Sequence, residues 1–338
     1  MTAQDPRDPA SAPLGPDPAP LTPAPAPLGP DPSALTPATA PLNPDPSALH
    51  LAHAPTATEA RLDALMPAEM AARAADIGVR KANAAFVPTF VLAVLAGAFI
   101  AIGAAFATTV VAGTGDAVPY GFVRLVAGLA FSLGLILVLV GGAELFTGNN
   151  LLAFAWASRR ISTAAVVRNW VVVYLGNLVG AVATAGIVVI AGQYEFGGGT
   201  VGAAALTTAA TKAAYGPLEA FALGILCNAL VCLAVWLTYS ARTTTDRILA
   251  IVPPIAAFVA MGFEHSVANM YFIPVGMLVR AVAPDAFWEA IGHAPADYAG
   301  LDWAGLVGNL VPVTLGNIVG GTLMVGAVYW LVYLRHES

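Results

Sequence analysis

One imidazole sits where a soluble domain would bury an aliphatic side chain. His265 lies within Gly262-Phe263-Glu264-His265-Ser266-Val267-Ala268-Asn269-Met270, a polar interruption of the apolar stretch 248–280. An unperturbed imidazole titrates at about pH 6.5, so in an apolar surround it is suited to passing a proton or a hydrogen bond to a small permeant. It is the one histidine of five inside such a stretch. An ionisable group there is a functional candidate because of its desolvation cost.

A second interruption, Ala143-Glu144-Leu145-Phe146-Thr147-Gly148-Asn149-Asn150, supplies a hydroxyl. Thr147 can donate to an anion or accept from His265 if the two breaks meet. Glu144 and Glu264 read as N-terminal caps for the half-helices that follow, in preference to a proton relay. Asn149 and Asn269 are expected to tie down unwound backbone. Lys212, amid the small residues 203–214, has two readings: a snorkelling interface lysine, or a positive charge that concentrates a small anion in a cavity. Asn228 is costly in lipid and is expected to face the interior of a bundle. No second His or Cys stands at ligand spacing from His265, and Cys227 and Cys232, five apart, form neither a redox pair nor a metal knuckle. They read as reduced packing residues, and neither a metal nor another cofactor is expected.

The elements that position these residues belong to a membrane. The chain has 338 residues, 58% hydrophobic and 10% charged, with mean hydropathy +0.76, outside the range of soluble domains. The formal net charge is −6 and no basic run suggests nucleic acid. Residues 1–58 repeat Ala-Pro-Leu-(Gly/Asn)-Pro-Asp-Pro at 12–18, 26–32 and 40–46. Prolines exclude a signal-peptide core, and the absence of apolar periodicity predicts a disordered cytoplasmic tail. An amphipathic interfacial helix is expected over 59–85, with Met70, Ala74 and Ile77 on its apolar face and Lys81 beyond.

The transmembrane domain is expected over 86–335: an all-α protein of six spans near 82–115, 122–158, 167–191, 217–240, 248–280 and 305–333. One crossing needs about 20 apolar residues. The turn Gly113-Thr114-Gly115-Asp116 ends the first span. Six spans put both termini on one side. Arg61, Arg73, Arg80, Lys81, Arg159, Arg160, Arg242, Arg247 and Arg335 share that side, while the loop 282–304 has four acidic residues and no Lys or Arg. The positive-inside rule makes that side cytoplasmic. Arg124, Lys212 and Arg280 are exceptions that a structure has to explain.

An internal repeat organises the spans. Asn169 precedes Leu175-Gly176-Asn177-Leu178-Val179-Gly180, and Asn309 precedes Leu315-Gly316-Asn317-Ile318-Val319-Gly320. The Asn to Asn spacing is eight in both. Glu144 precedes Asn149, and Glu264 precedes Asn269, by five. Three spans per half make this an inverted three-plus-three repeat with broken second and fifth spans, a design that places a site near the midplane. The Gly-x3-Gly pairs read as helix contacts.

Four segments together resemble the formate/nitrite transporter family: 143–149, 224–236, 262–270 and Asn309-Leu310-Val311-Pro312-Val313-Thr314-Leu315-Gly316-Asn317. The resemblance runs over about 65–335, and Leu223 beside Gly224 is more similar to formate channels than to nitrite channels. It implies a homopentamer of aquaporin-like protomers in a bacterial inner membrane, each conducting formate and related small monovalent anions. It implies that Thr147 and His265 face each other at the pore centre. Lys212 and Asn228 would polarise the His265 side, Leu135 and Phe258 would form apolar constrictions, and Phe131 and Phe146 would line the path. Lys212 would attract the anion, and a proton from His265, recovered through water, would remove the charge that the apolar rings penalise. A nitrite, hydrosulfide or lactate channel of the same family, or a proton-coupled symporter, is the alternative. An aquaporin-type solute channel lacks support because Asn-Pro-Ala is absent at both breaks. An intramembrane enzyme lacks it because no nucleophile or metal motif occurs.

Overall fold

A computed structural model describes residues 63–115 and 118–335, and every regular element among them is helical. The expected disordered tail 1–58, the start of the helix expected from 59 and Asp116 of the first turn lie outside the described residues. Helix α1 (Pro67–Ala82) precedes α2 (Phe86–Val111) and α3 (Tyr120–Gly141). A 3₁₀ segment (Gly148–Leu152) and α4 (Ala153–Ala157) follow the first break, and α5 (Thr163–Ile190) closes the first half. The second half comprises α6 (Thr200–Ala214), α7 (Pro217–Ser240), α8 (Thr244–Ala260) and α9 (Ser266–Val282), then α10 (Asp285–Ile291) and α11 (Trp303–Ile318). A π-helical stretch (Val319–Ala327) and α12 (Val328–Tyr333) end it.

Helices α2, α3, α5 and α7 and the stretch Pro295–Tyr333 are each long and apolar enough to cross a membrane, and α9 joined to α10 through a 117° bend makes a sixth candidate. The expected fifth span is split into α8 and α9, of 17 residues each. At 1.5 Å per residue either piece is about 26 Å long, short of a hydrocarbon core of about 30 Å.

The two halves pack alike. Helix α2 lies against α5 and α7 against α11. The glycine pairs permit the approach: a Cβ on Gly180 would collide with the carbonyl oxygen of Val94, and one on Gly320 with that of Ile225. The small-residue contacts read from the sequence are therefore backbone-to-backbone contacts.

Two elements add to the sequence-based expectation. Helix α1 buries Met70, Ala71, Ala74 and Ala75 against Leu151, Phe154, Val235 and Trp236, so its apolar face docks on the protein. Residues 203–214, expected only as a small-residue stretch, belong to α6, packed on α9. Too short and too small-sided to read as a span, α6 precedes α7 as α1 precedes α2. The basic exceptions are also accounted for. Arg124 Nε donates to Ala260 O at 3.4 Å and its Nη2 to Val259 O, which caps the C-terminus of α8. Arg280 holds the loop after α9 through Pro295 O and Leu301 O, at 3.1 Å each.

Candidate functional site

Each break begins where a helix is terminated by a left-handed glycine. Gly142 has φ +83° and Gly262 φ +74°, a conformation that a Cβ disfavours. The next amides, Ala143 N and Phe263 N, donate back to Val138 O and Phe258 O, the wrap that closes a helix C-terminus. The chain then turns to lean on the preceding long helix. Glu144 N donates to Leu92 O at 3.2 Å and Glu264 N to Leu223 O at 3.3 Å.

The repeated asparagines fasten these segments. Asn177 Nδ2 donates to Ala93 O at 2.7 Å and Glu144 O at 2.9 Å, while its Oδ1 accepts from Phe146 N at 2.9 Å. Asn317 does the same with Gly224 O, Glu264 O and Ser266 N, at 2.8, 2.9 and 2.9 Å. Both asparagines are fully buried. Backbone groups that would otherwise be orphaned in an apolar surround are thereby satisfied.

The carboxylates do not cap the half-helices. Glu264 accepts from Lys212 Nζ at 2.6 Å and from Asn269 Nδ2 at 2.6 Å, and Asn309 Nδ2 joins at 3.3 Å. Glu144 accepts from Lys81 Nζ with both oxygens at 2.9 Å and from Asn149 Nδ2 at 2.7 Å. Asn149 and Asn269 link each carboxylate to Asn169 and Asn309, at 2.9 and 2.7 Å, instead of tying down unwound backbone. A buried carboxylate is better satisfied by an ammonium and amide donors than by one helix end. The lysine partner of Glu144, missed in the sequence, has a signal there: Lys81 precedes a long span as Lys212 does.

The cap of α9 is His265 itself. Its Nδ1 accepts from Ala268 N at 3.0 Å. A ring nitrogen that accepts carries no proton, so the proton of the neutral ring resides on Nε2. Nε2 lies 2.9 Å from Thr147 Oγ1. The two breaks therefore meet at His265 and Thr147, both buried.

A cavity opens on each side of this contact. One, of about 270 Å³, is lined by Lys212, Arg124, Phe131, Phe258 and His265. The other, of about 190 Å³, lies beneath α1 and is lined by Lys81, Arg73, Arg247 and Leu135. Phe258 stacks on His265 with centroids 5.9 Å apart and meets Phe131 edge-on at 5.6 Å. Lys212 Nζ stands 5.2 Å above the Phe272 ring.

Two further residues are placed by their contacts. Phe146, beside Thr147, is buried and packs edge-on against Trp170 and Tyr174 of α5. Asn228 does not reach His265. Its Nδ2 donates to Asn317 O at 2.7 Å, Asn150 Oδ1 at 2.9 Å and Thr147 O at 3.3 Å, so it braces the Thr147 side from behind.

Known proteins resemble this chain in sequence and in fold. The sequence profile described as "Formate/nitrite transporter" matches residues 68–331. The chain is 47% identical over 277 residues to the formate channel FocA of Escherichia coli K12, covering 82% of this chain and 97% of that protein. It is 45% identical over 264 residues to formate channel FocA of Haemophilus influenzae, covering 78% and 93%. A solved structure described as a pentameric formate channel with formate bound aligns with a TM-score of 0.71 at 47% identity, covering 74% of this chain and 98% of that one.

Proposed function

This chain belongs to the formate/nitrite transporter family, and from that premise we propose that it conducts formate across the bacterial cytoplasmic membrane as a homopentamer with one pore per protomer. The observation that carries the reading is the His265 to Thr147 contact, closed by two broken helices with a cavity on either side. The two halves run in opposite senses, and both termini are cytoplasmic, which sets α1 on the cytoplasmic face.

Formate enters a cationic cavity, passes the apolar side chains at Leu135 or Phe258 and meets two hydrogen-bond donors, the Nε2 proton of His265 and the hydroxyl of Thr147. Crossing an apolar ring as an anion is strongly disfavoured, and crossing as the neutral acid is not. The Nδ1 cap narrows how His265 assists. Neutral His265 has one proton, and complete transfer would leave an imidazolate. The geometry thus favours an Nε2 hydrogen bond that strengthens as the anion sheds water, with the net proton drawn through water. Lys212 supplies potential to the wider cavity while remaining paired with Glu264.

The test is uptake by proteoliposomes offered formate, nitrite, acetate, lactate and hydrosulfide separately, with and without an imposed pH gradient. Formate flux above that of empty liposomes is expected. Flux of nitrite or hydrosulfide without formate would overturn the choice of permeant, and obligatory proton coupling would convert the channel into a symporter. Reporters fused to each terminus should register as cytoplasmic, and one in 282–304 should not.

A further inference from the structure

The two cavities differ in how their positive charge is compensated. In the wider one Lys212 is paired with Glu264, and the Arg124 guanidinium is taken up by the carbonyls of Val259 and Ala260. In the one beneath α1, Lys81 is fully engaged by Glu144 and Asn149. Arg73 donates once, from Nη1 to Tyr239 O at 3.0 Å, which leaves most of its fork unused. Arg247 is half-buried, its backbone N donates to Thr243 O at 3.3 Å, and its guanidinium has no hydrogen-bond or ion-pair partner among the described residues. Among the described residues no acidic side chain lines this cavity.

Arg73 and Arg247 thus line one cavity that no carboxylate of the described residues lines with them. Like charges in such a space repel, and apolar walls focus their field into it. A mobile anion relieves the repulsion. A guanidinium offers parallel N–H donors that match the two oxygens of a carboxylate, which a spherical ion or a lone ammonium does not exploit. We propose that Arg73 and Arg247 form a binding station for small planar oxyanions, monocarboxylates foremost, in the α1-side cavity ahead of Leu135. The station rests on the conduction reading for its role, since it raises anion occupancy next to the constriction from the α1 side alone. The opposite cavity has one guanidinium, that of Arg124, and is lined also by Glu264, so uptake from the two sides should differ in apparent affinity.

The first test needs no variant. Phenylglyoxal modifies accessible guanidinium groups, and mass spectrometry reads the rate at Arg247 in the detergent-solubilised full chain. Formate should slow modification of Arg247 while equal chloride does not, and nitrite and phosphate arms rank the oxyanions. The second test is formate entry into proteoliposomes of sorted orientation. Arg247→Gln should raise the half-saturation concentration from the α1 side on the order of tenfold, the scale of one charge-assisted hydrogen bond. Arg247→Lys should fall between, and the surface control Arg242→Gln should match the parent. An Arg247 that formate does not protect, or equal half-saturation in Arg247→Gln and Arg242→Gln, overturns the station. Protection in a parent that passes no formate would sink the conduction reading and leave the station standing. Formate flux without protection would do the reverse.

Discussion

His265 Nε2 and Thr147 Oγ1 meet at 2.9 Å across 118 residues of sequence. Neither break alone makes the contact: α3 must end at Gly142 and α8 at Gly262 before the two polar segments reach each other. Thr147→Val keeps the shape and removes the hydroxyl, so the Nε2 proton loses its resting partner. An unsatisfied buried donor costs about 1–3 kcal/mol. The variant should melt earlier than the parent in detergent and pass formate more slowly. Unchanged flux would show that Thr147 is only a spacer.

Asn177 and Asn317 should be interchangeable in their effect on stability. Each makes three hydrogen bonds to backbone across its break. Helix-to-helix hydrogen bonds in membranes average about 0.6 kcal/mol, and orphaned backbone groups add to the loss. Asn177→Ala and Asn317→Ala should therefore each destabilise by about 2–4 kcal/mol in detergent unfolding. A large difference between them would mean that the matched hydrogen bonds do not carry matched loads.

The parts of this site that were legible in sequence are those whose spacing is local. The interruptions show because a Glu, an Asn or a His stands out in apolar sequence, and the repeat shows because both halves keep the same short intervals. What was hidden depends on distance or direction. Lys81 and Glu144 are 63 residues apart, and nothing local pairs them. Whether a carboxylate or its neighbour caps α9 depends on backbone angles: His265 is extended, with φ −108° and ψ 113°, and takes the cap itself. Asn228 was rightly expected inside the bundle, but only the fold assigns it to the Thr147 side. Helix α6 lacked the length that marks a span, although it positions Lys212.

Lys212 has to be separated from its partner to be tested. Glu264 is 1% exposed, so Lys212→Met leaves a buried carboxylate without its cation, a loss of about 3–5 kcal/mol. Lys212→Met combined with Glu264→Gln should recover most of that stability by removing both charges. The double variant should then pass formate poorly at low concentration and less poorly near saturation, because a cavity charge acts by raising local anion density. Added salt should reduce the difference from the parent. A double variant with the parent's concentration dependence would leave Lys212 a purely structural cation.

Glycine substitutions test the packing that holds the breaks. Gly180→Ala and Gly320→Ala drive a methyl group into the Val94 and Ile225 carbonyls, and overpacking of this kind costs about 1–3 kcal/mol. Gly186 lies in the same helix as Gly180, but a Cβ there meets no atom of its own chain. Gly186→Ala should be neutral or stabilise by up to about 1 kcal/mol. Thermal unfolding of the three variants checks the order, and equal losses at 180 and 186 would contradict the close contact of α2 and α5.

The two nitrogens of His265 can be tested separately because they do different things. Nδ1 caps α9 by accepting the Ala268 amide, and Nε2 presents a proton to Thr147. Asparagine is among the strongest N-cap residues, so His265→Asn keeps an acceptor for Ala268 while removing the Nε2 donor. His265→Ala removes both. The lost Thr147 contact is common to the two variants, so their stability difference isolates the cap, and alanine should be less stable by about 1 kcal/mol. Both should lose formate flux, on the order of 100-fold if the donor acts as a preorganised hydrogen bond to the charge being neutralised. Flux in His265→Asn near the parent's level between about pH 5 and 8 would reduce His265 to a cap. An asparagine variant as unstable as alanine would instead show that the Ala268 contact contributes little, and the Nε2 tautomer would lose its structural cause.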